Sequence, residues 1–369
     1  MKKDSYLSKK VQSVRPSGVR RIFDMASSVK DPINLSIGEP HFDIPTPLKK
    51  EGIKWIEAGF NKYTPSGGIP ELRQKVIEHL RKKGVMCEDA IITPGVTGGL
   101  LLAFMVVLNP GDEVVIPDPY FVLYEYQIQL LGGKPVFFDT YPDFRIREEA
   151  LTRAISKKTK VILINSPNNP TGTVYTKEEL QIVARVAKKR NILVFSDDIY
   201  DAYVYDNEEE RIYMGALYEN TLTFGGFSKT WAMTGWRLGY VAGPKEVINC
   251  MVTMQQYVFS SVNSFAQKAA LLAFDYDTTN IIQEYRRKRD LIYEGLKDKY
   301  VVQKPKGAYY IFPEVPGGDG DSFVEKALRE KLFVIPGSVF SKRKSHIRIS
   351  FAQDEETLVR GIEILRKLA

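Results

Sequence analysis

The chain has 369 residues, of which 44% are hydrophobic and 26% charged, with 52 lysines and arginines against 45 aspartates and glutamates. This ordinary globular balance excludes a disordered tail, a collagen-like chain and a coiled coil, and the length suffices for two domains with sizeable cores. The net charge of +7 is compatible with an anionic partner but does not identify one, because a small anionic ligand would suit it as well as nucleic acid.

Cysteines and histidines exclude two further classes of protein. The chain has only Cys87 and Cys250, too few for a disulfide framework, and its three histidines are scattered. We therefore expect no metal site and a cytoplasmic protein. The basic N-terminus is not followed by an apolar segment, so no signal peptide is predicted, and no apolar run is long enough to span a membrane.

The first ninety residues are predicted to be mainly helical. A short helix is expected at 18–28, within an N-terminal arm. A second is expected at 47–57, with Thr46 as its cap, because threonine can accept from the free N–H groups of a first turn. A third is expected at 70–83, where apolar residues recur at helical spacing up to Gly84.

From about residue 90, strands and helices alternate. Short β-branched runs predict buried strands, and the helix before the fourth of these opens with a capping box, Thr176 and Glu179. The predicted strands cover 90–93, 112–116, 161–165, 192–196, 221–224 and 240–242, with another helix at 98–108. This alternation predicts an α/β domain with a mostly parallel sheet over residues 46–275.

After residue 275 the pattern changes. A long charged helix at 281–299 precedes short predicted strands, and a last helix is expected at 355–368. The strands are placed at 309–312, 333–335 and 346–350. The glycine-rich run 316–321 is expected to be a surface turn. We expect residues 276–369 to form a smaller α+β domain that the N-terminal arm, residues 1–45, joins in space.

The most informative segment is the run of residues 224–239. A predicted strand ends in glycines and is followed by Lys229 and, eight residues later, by Arg237. A phosphate-binding P-loop has glycine directly before its lysine, whereas Ser228 stands there, and no dinucleotide fingerprint follows a first strand. The frame S-K-T-x-A-M-T-G-W-R-x-G instead resembles the lysine motif of the class I, fold-type-I aminotransferases, which use pyridoxal phosphate.

The resemblance extends over nearly the whole chain, in the order expected for that family. Each matching string is weak alone, but six in order with the lysine frame are specific. They are SIGEP at 36–40, YTPSGG at 63–68, PDPY at 117–120, NSPNNPTG at 165–172, SDDIY at 196–200 and IRIS at 347–350. The resemblance implies a large α/β domain with a mostly parallel seven-stranded sheet, a smaller α+β domain, and pyridoxal 5'-phosphate as cofactor.

The resemblance also implies roles around the cofactor ring. Lys229 would hold the cofactor as a Schiff base and then carry the proton between the substrate's α-carbon and the cofactor, and burial would lower its pKa for both tasks. Asp197 would keep the pyridine nitrogen protonated. Tyr200 and Asn169 would hydrogen-bond the phenolic oxygen. Phe121 would stack on the ring, with Tyr120 as the alternative if the register is one residue off.

The cofactor's phosphate needs a cation and N–H donors. The resemblance assigns Arg237 as the cation, with bidentate geometry. Backbone N–H groups would come from the residues just before the helix predicted at 98–108, namely Gly95, Val96 and Thr97. Many family members carry serine three residues before the lysine, where this chain has Gly226. One hydroxyl contact is therefore expected to be missing, and Ser228 is the nearby hydroxyl that could replace it.

The substrate and a second subunit are expected to complete the site. Arg348 matches the family's arginine for the substrate's α-carboxylate. Gly38 would let the backbone approach the substrate closely, and Asn169 would contact it too. Tyr63 resembles the tyrosine that crosses a dimer interface to the partner's phosphate, which implies a homodimer.

The implied reaction is transamination between an L-amino acid and a 2-oxo acid. The resemblance favours 2-oxoglutarate as acceptor, and aspartate or an aromatic amino acid as donor. Thr97 stands where a subgroup of aspartate-specific relatives has lysine, which leaves the donor open. A carbon–sulfur lyase or a cyclopropane-forming synthase on the same fold is the alternative.

Three less related functions are disfavoured. The basic runs at 81–83, 286–289 and 342–344 are separated and predict solvated faces, so we expect no nucleic-acid binding. A regulator with an aminotransferase-like domain would need an added DNA-binding module, for which 369 residues are expected to leave no room. An inactive relative is disfavoured because the expected catalytic and binding residues are all present.

Overall fold

A computed structural model of the protein describes residues 6–8, 16, 18–206 and 211–369. In chain order the strands are β1 (Ile33–Asn34), β2 (Asp89–Thr93), β3 (Glu113–Asp118), β4 (Lys134–Asp139), β5 (Thr159–Asn165), β6 (Leu193–Asp197), β7 (Thr221–Gly226), β8 (Gly239–Gly243), β9 (Tyr310–Ile311), β10 (Leu332–Phe333), β11 (Ile335–Pro336) and β12 (Ile347–Ser350). The helices are α1 (Gly18–Ser27), α2 (Thr46–Glu57), α3 (Pro70–Lys82), α4 (Gly95–Val107), α5 (Leu123–Leu130), α6 (Glu148–Ala154), α7 (Lys177–Arg190), α8 (Lys245–Val258), α9 (Ser264–Ala273), α10 (Thr279–Leu296), α11 (Gly320–Arg329) and α12 (Glu355–Leu368).

The centre of the molecule is the predicted seven-stranded sheet, in the order β2-β8-β7-β6-β5-β3-β4. β8 runs antiparallel to β2 and β7, while the remaining pairs are parallel. The inner strands are apolar along their length because helices cover both faces, and Val115, Ile162 and Val194 are fully buried. The prediction of a mostly parallel α/β sheet is confirmed.

Helix starts follow local capping chemistry. α7 opens with the predicted capping box: Glu179 N–H donates to Thr176 Oγ1 at 3.3 Å, and the Glu179 carboxylate accepts from Thr176 N–H at 2.8 Å. The prediction that Thr46 caps α2 is wrong, because Thr46 is already helical and Pro45 stands at the cap, where it offers no side-chain acceptor. The glycine-rich turn ends sooner than predicted, because Asp319 caps α11 by accepting from Ser322 N–H at 3.1 Å.

The C-terminal third forms a second, antiparallel sheet of β11, β12 and β9. The N-terminal segment joins this part of the chain through β1, which pairs in parallel with β10. Leu35 O also accepts from Ser350 N–H at 2.8 Å, and Leu35 packs in the same core as Ile349 and Phe351. These contacts hold residues 36–38 beside β12.

Four peptides before prolines are cis within the described residues: Asp118-Pro119, Tyr141-Pro142, Ser166-Pro167 and Asn169-Pro170. In the part of the chain that the structure describes, no helix combines the length and the apolar character needed to cross a membrane.

Candidate active site

A cavity of about 260 Å³ opens where β5 and β6 end, and the last residues of these strands, Asn165 and Asp197, line it. Ligands of open α/β sheets bind outside the carboxyl ends of the strands. The cavity brings together most of the predicted site residues: Gly38, Val96, Thr97, Phe121, Asn169, Asp197, Tyr200, Ser228, Lys229, Arg237 and Arg348. Residues as far apart in sequence as Gly38 and Arg348 therefore meet in one place.

Lys229 follows the end of β7 and points into the cavity. Its Nζ donates to Gly38 O at 2.7 Å, and its own carbonyl accepts from Tyr203 Oη–H at 2.9 Å. Burial lowers the pKa of Lys229 to about 8, opposed by Glu39 and reinforced by the positive charge of Arg237. A substantial fraction of this amine is therefore neutral near physiological pH.

Asp197 is buried and held by two donors. Its Oδ2 accepts from Tyr124 Oη–H at 2.6 Å, and its Oδ1 accepts from the Ile199 N–H at 3.2 Å. Burial raises the pKa of Asp197 to about 6, although both hydrogen bonds favour the charged form. A cation that enters the cavity beside this carboxyl would lower that pKa again.

An anion cradle lies at the start of α4. The predicted helix start was wrong by three residues, because the helix begins at Gly95 rather than at 98. The N–H groups of a first helical turn have no partner within the helix, so Gly95, Val96 and Thr97 still offer donors. Arg237 faces them: a Cβ placed on Gly95 would lie 2.8 Å from the Arg237 Nη2.

The serine that Gly226 replaces would not fit here without movement. A Cβ on Gly226 would lie 3.2 Å from Gly239 Cα, Ile199 Cδ1 and Leu238 O alike. Glycine at this position therefore follows from the close packing of β7 against β8. Ser228 is buried and lines the cavity, so it is the hydroxyl available on this side.

The two aromatic candidates for ring stacking lie in different places. Phe121 lines the cavity, whereas Tyr120 is buried outside the lining and stacks on Phe137 with ring centroids 4.6 Å apart. The Tyr120 hydroxyl donates to Glu125. Of the two, only Phe121 is placed to contact a ligand in the cavity.

Arg348 lies in the middle of β12 and is 1% exposed. Its Nη1 donates to Asn169 Oδ1 at 3.1 Å and its Nη2 to Ser36 O at 2.6 Å. The rings of Tyr310 and Phe340 lie 4.6 and 4.7 Å from its guanidinium carbon. Its buried Nε has no hydrogen-bond partner among the described residues, which marks a charged donor able to take an anionic ligand.

Two predicted site residues do not line the cavity: Gly95, which begins α4, and Tyr63. The side chain of Tyr63 is 89% exposed, on the loop between α2 and α3. Its predicted role concerns the partner's site, and nothing in the single chain tests it.

Among the described residues that line the cavity without having been predicted are Tyr124, Tyr310 and Asn165. Tyr124 holds Asp197, and Asn165 Oδ1 accepts from the Asn169 N–H at 2.8 Å. Tyr310 Oη lies 2.9 Å from Tyr200 Oη. Asn165 was within a matched string and could have been proposed, whereas no local pattern distinguishes the two tyrosines from core residues.

Comparison with known proteins identifies the family. A family model described as aminotransferase class I and II matches residues 30–365. The chain belongs to this family. It is 37% identical to a probable aspartate aminotransferase of Methanocaldococcus jannaschii, over 98% of this chain and 99% of the relative. It is 39% identical, with the same coverage, to the (5-formylfuran-3-yl)methyl phosphate transaminase of that organism.

A solved structure agrees with this assignment. The aspartate aminotransferase of Thermus thermophilus with maleate superposes with a TM-score of 0.94 at 35% identity, over 98% of this chain and 99% of that one. The chain is therefore an aminotransferase, and the fold predicted from the resemblance is confirmed.

Proposed function

We propose that this aminotransferase uses pyridoxal 5'-phosphate to move an amino group from an L-amino acid to a 2-oxo acid, and that its active site is the cavity around Lys229. The observation that carries the assignment is the convergence of Lys229, Asp197 and Arg348 on that one cavity. Each of the three meets a different need of the reaction: an amine for attachment of the cofactor, a carboxylate for its ring nitrogen and a cation for the substrate's carboxylate.

The residues present fit this cofactor. The low pKa of Lys229 suits covalent attachment to an aldehyde, and the buried carboxyl of Asp197 suits a protonated ring nitrogen. The first turn of α4 and Arg237 form a cradle suited to a phosphate. The unpartnered Nε of Arg348 leaves a donor for a substrate carboxylate.

When bound, pyridoxal phosphate supplies an aldehyde for attachment of amines and a ring that withdraws electrons from the substrate's α-carbon. Lys229 holds the cofactor and then, as a free amine, moves the α-proton. Arg348 binds and orients the α-carboxylate, and Asn169 fixes one arm of its guanidinium. Asp197, held by Tyr124, keeps a proton on the ring nitrogen.

Borohydride reduction of the holoenzyme tests this function. We expect reduction to fix the cofactor's mass on the peptide that contains Lys229, and Lys229→Ala to lose both the adduct and transamination. Lys342→Ala serves as the control, because Lys342 is an exposed lysine outside the cavity. A cofactor adduct that persists in Lys229→Ala would overturn the assignment.

For the substrates we propose 2-oxoglutarate as acceptor, and aspartate or an aromatic amino acid as donor. In the described part of the chain, the cationic side chains lining the cavity are Lys229, Arg237 and Arg348, and each already has an anionic or carbonyl partner in the reaction. A distal carboxylate, whether of aspartate or of 2-oxoglutarate, would thus need a cation from elsewhere, so the lining of this cavity does not by itself choose the donor. The kcat/KM for a panel of amino donors with 2-oxoglutarate decides between them.

The acceptor also needs a direct test. One relative is named as a transaminase of a furan aldehyde phosphate, so 2-oxoglutarate should be compared with phosphorylated aldehydes. A carbon–sulfur lyase or cyclopropane-forming synthase would release product without consuming an acceptor. We expect one amino group to appear on the acceptor for each 2-oxo acid formed from the donor.

We further propose that the chain works as a homodimer in which Tyr63 reaches the partner's cofactor phosphate. The exposure of Tyr63 supports this, as does the exposure of Ile53 and Ile56 on the preceding helix, α2. Three large side chains exposed within eleven positions form an apolar segment of the kind that marks a protein contact.

A further inference from the structure

Tyr310 lies between Tyr200, which is expected to contact the cofactor, and Arg348, which is expected to bind the substrate. Its hydroxyl lies 2.9 Å from the Tyr200 hydroxyl, and its ring lies 4.6 Å from the Arg348 guanidinium carbon. A Cβ on Gly38 would come within 2.3 Å of the Tyr310 hydroxyl, so that hydroxyl is packed directly against the Gly38 backbone. Tyr310 is 1% exposed, and its position is therefore fixed by packing on several sides.

The hydroxyls of Tyr200 and Tyr310 each have one proton to donate. A tyrosine hydroxyl donates one hydrogen bond and can accept others. In the single chain either tyrosine can be the donor across the 2.9 Å contact. If Tyr200 donates its proton to the cofactor's phenolic oxygen, as the family resemblance implies, then Tyr310 is left as the donor between the two tyrosines.

We propose that Tyr310 is a positioning residue whose hydroxyl donates to Tyr200 and so directs the proton of Tyr200 toward the cofactor. This inference rests on the proposed function. Hydrogen bonds in such a chain polarise one another, so a donor behind Tyr200 makes Tyr200 a stronger donor in turn. The phenolic oxygen of the cofactor then becomes less basic.

Substitution of Tyr310 by phenylalanine separates the effect of the hydroxyl from that of the ring. Tyr310→Phe keeps the aromatic face against Arg348 and removes the hydroxyl, with its contacts to Tyr200, to Tyr309 and to the Gly38 backbone. The charged and titratable groups that face this pair are Arg348 from β12, Tyr309 beside Tyr310, Asp197 from the end of β6 and Lys229 after β7. None of them is altered by the substitution.

The test is a pH titration of the visible absorbance of the holoenzyme, which follows the proton on the linkage between cofactor and lysine. A more basic phenolic oxygen holds that proton more tightly, so we expect the midpoint in Tyr310→Phe to rise by about half a pH unit. Tyr200→Phe should raise it further. The double variant should match Tyr200→Phe alone, because Tyr310 acts through Tyr200.

Tyr285→Phe is the matched control. It removes another buried tyrosine hydroxyl, one that contacts His41 instead of Tyr200, and it should leave the midpoint unchanged. An unchanged midpoint in Tyr310→Phe would overturn the inference, as would a double variant whose shift is the sum of the two single shifts.

A second substitution gives a shift of opposite sign. Fluorotyrosine at position 310 is more acidic and therefore a stronger donor, so the midpoint should fall, and a rise would contradict the proposal. If the wild-type holoenzyme shows no pH-dependent visible band and no borohydride adduct, the proposed function itself fails. That outcome is distinct from a normal wild type with an unaffected Tyr310→Phe.

Discussion

Two residues of the proposed site, Lys229 and Asp197, are held by burial toward their neutral forms. The pKa of Lys229 falls to about 8 and that of Asp197 rises to about 6, because each charged form has lost water that the cavity does not replace. Such opposed shifts are typical of catalytic sites. They also mean that burial of these two groups costs the apoenzyme stability that a bound cofactor would restore.

Asp197→Asn is therefore expected to stabilise the apoenzyme. The folded-state pKa lies above the usual 3.8, so the penalty is fully present above pH 6 and fades as the pH falls toward 3.8. Asparagine removes the charge, can donate to Tyr124 and can accept from the Ile199 N–H. We expect a gain of about 2 kcal/mol in the free energy of unfolding at pH 7.5.

Urea unfolding of the apoenzyme at pH 7.5 and pH 4 measures this effect. The gain should shrink at the lower pH, where Asp197 is already protonated in the folded state. Transamination should be lost, because an amide cannot keep a proton on the ring nitrogen. Equal or lower stability of the variant at pH 7.5 would contradict the expectation.

Arg348→Lys is expected to raise KM for every amino acid substrate by about tenfold to a hundredfold. A lysine keeps the charge but loses the planar fork, and charge-assisted hydrogen bonds of this kind contribute about 1.5–3 kcal/mol. Steady-state kinetics with several donors check the uniformity of the effect. Arg343→Lys is the control, since Arg343 is half-exposed and pairs with Asp139 outside the cavity. An unchanged KM would remove Arg348 from the site.

At the level of single residues, the sequence could predict those that lie in contiguous motifs. Lys229 and Arg237 share one frame, and Asp197 and Tyr200 share another. Tyr124 and Tyr310 could not be predicted, because their importance comes from hydroxyl contacts with residues 73 and 110 positions away. The spacing of residues in the sequence does not indicate such long-range contacts.

Elements were predictable where local chemistry defines them. The capping box of α7 placed that helix correctly, and the apolar runs of β5 and β6 marked strands covered on both faces. β4 was missed because it is an edge strand, partly exposed along most of its length, whose first residues are Lys134 and Pro135. The start of α4 was misplaced because three glycines in its first two turns argue against helix.

Glu179→Gln is expected to destabilise the fold by about 2 kcal/mol. The carboxylate of Glu179 accepts from Thr176 N–H and, at 2.8 Å, from Ile146 N–H, so it ties α7 to the segment before α6. Glutamine has one acceptor oxygen, and its NH₂ group would leave one of these N–H groups buried without a partner.

The measurement is urea unfolding of the holoenzyme. Glu178→Gln is the matched control, because Glu178 is exposed in the same helical turn and has no hydrogen bond to another element among the residues that the structure describes. Equal losses in both variants would show that charge near the helix start, rather than the buried hydrogen bonds, sets the stability of α7.

For the molecule as a whole, we propose a large domain of residues 46–275 and a small domain that combines residues 1–45 with 276–369. The pairing of β1 with β10 supports this division, because it places the start and the end of the chain in one unit. The proposed site draws Arg348 from the small domain, and Lys229 and Asp197 from the large one. Movement between the two units would change the distance between the groups that bind substrate and cofactor.

In the proposed homodimer, each site would be shared between the two subunits. If Tyr63 donates to the partner's cofactor phosphate, Tyr63→Phe should weaken the affinity for pyridoxal phosphate by about tenfold, the loss expected for one hydrogen bond to a charged group. Affinity for pyridoxal, which lacks the phosphate, should not change. Tyr293→Phe is the control, because Tyr293 lies on α10, away from the cavity.

Hybrid dimers distinguish a contact between subunits from one within a subunit. In a dimer of one Tyr63→Phe chain and one Lys229→Ala chain, the cavity with an intact Lys229 would receive the intact Tyr63 of the other chain. We therefore expect such hybrids, formed by unfolding and refolding a mixture, to recover one site of wild-type affinity. If Tyr63 acted within its own chain, the only cavity with Lys229 would still lack the hydroxyl, and affinity would stay at the level of Tyr63→Phe. That result, or a monomeric wild-type enzyme, would exclude the proposed contact and leave the exposure of Tyr63 without a catalytic reason.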